Sequence, residues 1–212
     1  NLPHGAFDTL IYGSGGVNNG STRYDFTNYF EVVPSNALEA IIWAEADRMG
    51  QPNLDESQLD NQREVVRNEV FVNVINQPYG GWIWIDLPMV ANENWHNAHN
   101  FYGDLTDLDA ASLEDAQAFF DQFYAPNNAV IVVAGDIDKD ETLGWIEQYF
   151  AYIDAGDPLP EIDTSEPRQE EEKFDFIEDE LANQPALAVG YHMPERGTPE
   201  YYAMILIDQL LV

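Results

Sequence analysis

Apolar positions recur at helical spacing in six stretches of the chain, and a capping residue or a glycine bounds most of them. In the second stretch, Leu38, Ile41 and Ala46 form one stripe, and Gly50 follows it as a stop signal. Before the fourth stretch, Ser112 is the expected N-cap. The predicted helices span residues 4–14, 37–49, 55–76, 112–124, 140–150 and 198–212.

Aromatic and polar side chains alternate between residues 17 and 33, which predicts two strands or one long bent strand. Three short apolar runs, at residues 129–134, 174–177 and 186–191, are further predicted strands. The first run is rich in Val, as is typical of a strand buried on both faces.

Helices alternate with hairpin-like strand pairs in this order of segments, which predicts an α+β fold. We expect a two-layer α/β arrangement, with a mixed, largely antiparallel sheet of about five or six strands and helices mainly on one face. Residues 82–89 fit a helix or a strand, and the polar residues 91–107 predict an irregular loop. Residues 154–172 contain three Pro and a Glu run, which predict a solvated connection.

The 212 residues include 39 acidic and 8 basic side chains, so the formal net charge is −31. This charge excludes nucleic-acid binding through phosphate contacts. The chain has no Cys for a disulfide or a thiol nucleophile and no apolar run long enough to predict a membrane span. An acidic, Lys-poor surface suits a protein from salty water, although an acidic protein of no special habitat fits equally well. Together with the lack of Cys, it slightly favours an exported setting such as the bacterial periplasm or envelope.

Glu69 is the first candidate for chemistry, because it falls on a helical stripe of Val residues. A carboxylate in an apolar setting is costly unless a cation, a hydrogen-bond donor or a proton neutralises it. One interpretation is an ion pair with Arg63 or Arg67, and the other is a metal ligand that faces a cleft. A separate hypothesis is a metal-binding module on His96 and His99, although their Asn-rich surroundings favour solvated loop histidines.

Eight segments, in order and at family-like spacing, resemble the M16 family of zinc peptidases, which includes relatives of pitrilysin, insulin-degrading enzyme and mitochondrial processing peptidase. The resemblance covers nearly the whole chain. The segments are residues 19–30 (NGSTRYDFTNYF), 34–36 (PSN), 45–49 (EADRM), 59–69 (LDNQREVVRNE), 76–80 (NQPYG), 108–112 (LDAAS), 123–130 (FYAPNNAV) and 133–136 (VAGD).

The resemblance implies a zinc site in which an H-x-x-E-H helix supplies two His ligands and a Glu that activates water. A second Glu on a later helix completes that site, and Glu69 matches this metal ligand. Gln62 stands two turns earlier, where the family often has another acidic residue, and its amide can hydrogen-bond the groups around the metal ligands but brings no charge to them. Asn19 and Gly20 take the place of a dipeptide that begins the edge strand against which peptide substrates pair, with an ordinary sheet strand as the alternative.

The H-x-x-E-H motif is absent from this chain, so no catalytic residue is assigned in it. Either the sequence is a fragment cut just downstream of the motif, or its parent is a non-catalytic M16-like subunit that binds peptides or pairs with an active partner. Catalytic zinc normally has three protein ligands and a water. We therefore expect this polypeptide alone neither to hydrolyse peptides nor to hold zinc (Zn²⁺) tightly.

The resemblance also implies a division of the chain and a set of partners. Residues 1–153 correspond to an N-terminal-type M16 peptidase unit that is incomplete at its start, and residues 154–172 form the acidic connection. Residues 173–212 correspond to the incomplete start of a C-terminal-type segment. The implied partners are a peptide or unfolded polypeptide substrate and a second M16-like unit, in the same chain or as a dimer.

Overall fold

A computed structural model of the chain describes residues 2–3, 5–50, 52 and 54–211. These residues form two units. The first consists of residues 1–62 and 110–161, and the second of residues 63–109 and 162–212. His4, where the first predicted helix begins, lies outside the described residues.

Nine α-helices and two strands are found in the described residues. In chain order the α-helices are α1 (Ala6–Gly13), α2 (Leu38–Gly50), α3 (Glu56–Val70), α4 (Leu87–Ala91), α5 (Trp95–Ala98), α6 (Leu105–Ala110), α7 (Leu113–Phe123), α8 (Lys139–Phe150) and α9 (Pro199–Leu211). The strands are β1 (Val17–Thr22) and β2 (Thr27–Val32). Short 3₁₀ turns lie at Ser35–Ala37 and Pro126–Asn128, and π-helical turns lie at Phe71–Ile75 and Trp82–Asp86.

The first unit is built around the apolar stripe of α2. Ile41 and Ile42 are buried there, and α2 packs against α8 and α1. Ile11 of α1 is fully buried, and α1 also contacts β1. Strands β1 and β2 form an antiparallel hairpin in which Asn19 lies opposite Phe30 and Gly20 opposite Tyr29.

Side-chain hydrogen bonds connect irregular segments of the second unit. Glu166 accepts hydrogen bonds from the backbone N–H groups of Glu93 (2.9 Å) and Asn94 (3.0 Å) and from the Asn97 side chain (2.8 Å). The backbone N–H of Tyr79 donates to Asp179 over 2.6 Å. No helix in the described part of the chain is both long enough and apolar enough to cross a membrane.

The predicted α+β class is confirmed, and the hairpin lies where the alternating pattern placed it. The sheet is smaller than expected, because the described residues contain a two-stranded sheet only. The prediction of a doubly buried strand at residues 129–134 is wrong, since Val130 and Val132 are 89% and 83% exposed. A strand is buried in that way only when other strands flank it, and the described residues place none beside this segment.

The predicted strands at residues 174–177 and 186–191 are wrong, because neither segment forms a strand in the structure. Residues 82–89, which fitted either a helix or a strand, are helical and belong to a π-turn followed by α4. The predicted irregular loop at residues 91–107 contains α5 and the start of α6, because Asn94 caps α5 by accepting a hydrogen bond from the His96 N–H (3.0 Å). The domain boundaries predicted from the sequence stay predictions.

Candidate functional site

One candidate site is the outer edge of β1. Among the described residues β1 pairs with β2 alone, so its other edge has no strand partner in that part of the chain. Asn19 and Gly20 are both exposed on β1. The Asn19 side-chain oxygen accepts a hydrogen bond from the Gly20 N–H over 2.8 Å. An unpaired strand edge of this kind can bind an extended peptide through backbone hydrogen bonds.

Glycine at position 20 fits a close approach of the two strands. A Cβ atom there would lie 3.2 Å from Cδ1 of Tyr29 and 3.3 Å from the carbonyl oxygen of Asn28. Both atoms belong to β2. A larger side chain at Gly20 would therefore push against the tyrosine ring, whereas glycine leaves the space beside this ring free.

An aromatic and charged cluster holds the hairpin on the first unit. The Arg48 guanidinium of α2 lies 4.0 Å from the ring centroid of Tyr29 and 5.1 Å from that of Phe7, which are cation–π distances. The hydroxyls of Tyr29 and Tyr124 are 2.9 Å apart. Burial and then the Tyr124 hydrogen bond raise the pKa of Tyr29 to about 12, so its hydroxyl keeps its proton at physiological pH.

Two carboxyl groups meet in the same cluster. Glu31 of β2 lies within hydrogen-bonding reach of Glu45 of α2, and Arg48 donates to Oε2 of Glu45. Burial, and after it the charge of Glu45, raises the pKa of Glu31 to about 7, although Arg48 opposes the shift. A glutamate so adjusted is protonated over part of the physiological range.

Glu69, the metal ligand implied by the family resemblance, is exposed on α3 in the second unit. Its carboxylate and the side chain of Asn73, one turn further along, hydrogen-bond the hydroxyl of Tyr102. Burial, and after it the charge of Glu69, raises the pKa of Tyr102. The hydroxyl therefore stays protonated and donates to the carboxylate.

The apolar setting predicted for Glu69 is wrong. Val65 and Val72, which belong to the same stripe, are 49% and 59% exposed. Arg67 pairs instead with Glu64, at 2.8 Å, and with Asp109. Glu69 thus needs no buried counter-ion, and its exposure leaves its carboxylate accessible from solvent.

Gln62, the residue predicted to lie beside the metal ligand, is also exposed on α3. Glu69 lies seven positions later, which corresponds to about 20° around the helix axis and about 10 Å along it. The two side chains therefore share a face of the helix. Asn19 and Gly20 belong to the first unit, and Glu69 belongs to the second.

The described residues do not complete a zinc site. No group of three His, Asp or Glu side chains among them could hold a metal ion, whereas catalytic zinc normally has three protein ligands. His96 and His99 do not form a pair of ligands on one helix, because α5 ends before His99. The His99 ring stacks on Trp95 with centroids 4.7 Å apart, and its Nδ1 lies 3.0 Å from the Trp95 carbonyl oxygen.

Sequence reasoning missed two features of these sites. Tyr102 contacts Glu69 from a segment that the polar pattern predicted as an irregular loop, and no local signal identifies such a contact. The meeting of Glu31 and Glu45 was also missed. The sequence does contain a signal for the ion pair in this cluster, because Glu45 and Arg48 have the i, i+3 spacing of a helical ion pair.

Comparison with known proteins gives the following matches. Residues 110–212 match the family described as "Peptidase M16 inactive domain". A protein from Helicobacter pylori named "Zinc protease PqqE" is 26% identical over 220 residues, which cover 100% of this chain and 48% of that protein. The chain therefore spans about half the length of this curated relative.

Solved structures agree with this match. A protease from Helicobacter pylori has a TM-score of 0.74 and 26% identity, covering 82% of this chain and 42% of that one. An M16 inactive domain from Pseudomonas fluorescens has a TM-score of 0.64 and 20% identity, covering 75% and 39%. The ferredoxin protease FusC, solved in complex with Arabidopsis ferredoxin, has a TM-score of 0.59 and 20% identity, covering 76% and 18%. The last two show likeness of fold alone.

Proposed function

We propose that this chain, whose residues 110–212 match the M16 inactive-domain family, supplies a peptide-binding part of a zinc-dependent endopeptidase. The observation that carries the proposal is the exposed edge of β1, where Asn19 and Gly20 lie. The relatives named as proteases support it, and so does the motif resemblance that continues through Glu69. The chain by itself is proposed to bind peptide without cleaving it, since its described residues do not complete a zinc site.

Peptide binding at β1 would read mainly the backbone of the substrate. An extended peptide that adds a strand to an open sheet edge pairs through its N–H and C=O groups, which every sequence has. Side chains of the edge strand then add contacts at single positions. Asn19 is suited to this role because its exposed amide can both donate and accept.

Asn19→Ala is expected to weaken peptide binding about three- to tenfold, the effect of losing one net hydrogen bond. Fluorescence anisotropy with labelled, unstructured peptides of mixed sequence would measure the dissociation constant for this chain. Asn18→Ala is the matched control, because Asn18 precedes Asn19 in the same strand and its amide instead bonds Asp8 over 2.9 Å. Equal affinities for the chain and both variants would remove Asn19 from the site.

In the whole protein, we propose that Glu69 is one of the zinc ligands. An exposed carboxylate fits the oxygen ligands that zinc accepts, and the Tyr102 hydroxyl would orient it from behind. Zinc would supply the polarisation of the scissile carbonyl and the activation of water. Within this chain, the residues act by binding and orienting: β1 holds the peptide backbone, and Glu69 offers a single carboxylate.

Glu69→Gln should lower zinc affinity by more than about a hundredfold in the gene product that carries this chain, since a ligand matters more than its neighbours. Calorimetry and elemental analysis of zinc would be run on that gene product and on this chain alone. Glu64→Gln, on the same helix and paired with Arg67, is the control that should keep its zinc. Unchanged zinc binding in Glu69→Gln would contradict the ligand assignment.

A second candidate function is that of a non-catalytic M16-like subunit that binds peptides or pairs with an active partner. The match of residues 110–212 to the inactive domain of the family favours it. Zinc analysis separates the two candidates. A gene product that binds peptide but takes up no zinc would be such a subunit, and one that takes up zinc through Glu69 would be the peptidase.

A further inference from the structure

We propose that Glu31 and Glu45 share one proton, and that loss of this proton as the pH rises loosens the β1–β2 hairpin from α2. The device is built into the fold of the first unit. The shared proton does not depend on peptide binding at β1, so this proposal and the proposed peptide-binding function can fail separately.

The Glu31–Glu45 pair lacks one hydrogen-bond donor when both carboxylates are ionised. One oxygen of Glu45, Oε2, accepts from Arg48, whereas the other, Oε1, is buried and has no hydrogen-bond partner among the described groups. The Glu31 carboxyl lies within hydrogen-bonding reach of Glu45. Two ionised carboxylates have acceptors only, so a proton on one of them supplies the missing donor. A buried acceptor left without a donor costs free energy, and a shared proton removes that cost.

The charges of the cluster also favour one bound proton. Arg48 is the cation that the described residues place against the pair, and it can offset one negative charge but not two. Among the described residues, Tyr29 of β2 also faces the pair and is uncharged because its pKa is raised to about 12, and its hydroxyl bonds that of Tyr124 beyond the end of α7. Phe7 of α1 covers Arg48 with an uncharged ring. One proton is therefore the complement that leaves this cluster neutral.

The Glu31–Glu45 pair connects the hairpin to α2. Glu31 lies on β2 and Glu45 on α2. Strand β1 pairs with β2, so the contact between Glu31 and Glu45 also links β1 to α2. When the proton leaves, two carboxylates repel each other across this contact, and the hydrogen bond between strand and helix is lost. The hairpin then keeps its cation–π contact with Arg48 and its Tyr29–Tyr124 bond but has lost one of its attachments.

The sign of the pH effect follows from the raised pKa of Glu31, about 7 in the folded chain against 4.5 for an unperturbed glutamate. The folded state binds this proton more tightly than the unfolded state does. Its contribution to stability is therefore complete below about pH 4.5 and is lost as the pH rises through about 7. Stability and hairpin protection should both fall between about pH 4.5 and pH 7 and change little above about pH 7.

Carboxyl carbon NMR of uniformly labelled chain, followed from about pH 4 to pH 9, tests the shared proton directly. We expect one Glu carboxyl with an apparent midpoint near 7, which disappears in Glu31→Gln. Hydrogen exchange of the β1–β2 amides, corrected for intrinsic rates, should speed up by at most about tenfold per pH unit between about pH 4.5 and pH 7, and this acceleration should level off above about pH 7.

Two variants complete the test. Glu31→Gln supplies a permanent amide donor, so its hairpin exchange should lose this pH dependence. Glu39→Gln is the control on the same helix, where the side chain bonds Tyr149 over 2.8 Å, and it should behave like the unchanged chain. If every Glu carboxyl of the unchanged chain titrates below about pH 5.5, the proposal is overturned, and this result does not depend on the folding of any variant.

Discussion

Gly80→Ala is expected to lower the free energy of unfolding of this chain by about 3 kcal/mol or more, the range of severe backbone clashes. A Cβ atom at this position would lie 1.8 Å from the carbonyl oxygen of Val74 and 2.7 Å from its carbonyl carbon. Backbone atoms cannot rotate away as the end of a side chain can. The turn must therefore open, and with it the Gly80 N–H to Gln77 carbonyl bond of 3.0 Å.

The clash would reach the candidate ligand, because Val74 belongs to the π-turn that continues α3 beyond Glu69. Hydrogen exchange should therefore increase over residues 71–86 as well as in the turn. Gly144→Ala is the control, since Gly144 lies exposed inside α8 with open space around it. That variant should gain about 0.5–1 kcal/mol, the usual helix preference for Ala. Urea unfolding followed by circular dichroism compares the two, and equal stabilities would contradict the clash.

Elements whose signals are local could be predicted from the sequence. Helix α7 begins where Ser112 predicts it, because Ser112 and Asp115 cap each other's N–H groups at 3.2 and 2.9 Å. The stripe of α2 faces the core as its spacing predicts. Capping and periodicity depend on residues within about one or two turns, so no knowledge of the rest of the fold was needed.

Elements that depend on distant partners could not be predicted in this way. Residues 129–134 have the composition of a buried strand, but burial also needs neighbouring strands, and among the described residues there are none. Residues 91–107 looked irregular because Asn disfavours regular structure. In the fold, Asn94 and Asn97 instead bind the segment around Glu166, about 70 residues further along. Sequence spacing contains no information on such a pairing.

The residues of the candidate sites show the same difference between local and distant signals. Glu69 and the Asn19–Gly20 dipeptide could be picked out because each stands inside a family-like motif. The residues that surround them come from elsewhere in the chain: Tyr102 reaches Glu69, and Glu31 of the hairpin reaches Glu45. Motifs therefore identified the residues proposed for the chemistry, whereas the groups that would orient them or set their protonation required coordinates.

Ile11→Ala is expected to cost about 2–5 kcal/mol of unfolding free energy, the range for truncating a fully buried Ile. Ile11 is 0% exposed, and its helix α1 contacts both β1 and α2. The Ile11 carbonyl oxygen also accepts from the Gly16 N–H over 2.9 Å, at the point where the chain enters β1.

A cavity at Ile11 would therefore loosen the base of the hairpin that carries Asn19, and peptide affinity should fall together with stability. Tyr12→Ala is the matched control, since Tyr12 is the next residue of α1 and is 59% exposed; it should change stability by no more than about 0.5 kcal/mol. Urea unfolding and peptide anisotropy on both variants separate the contributions. A stable Ile11→Ala chain would mean that α1 does not anchor the hairpin. An unstable variant that still binds peptide at full affinity while folded would instead place peptide binding away from β1.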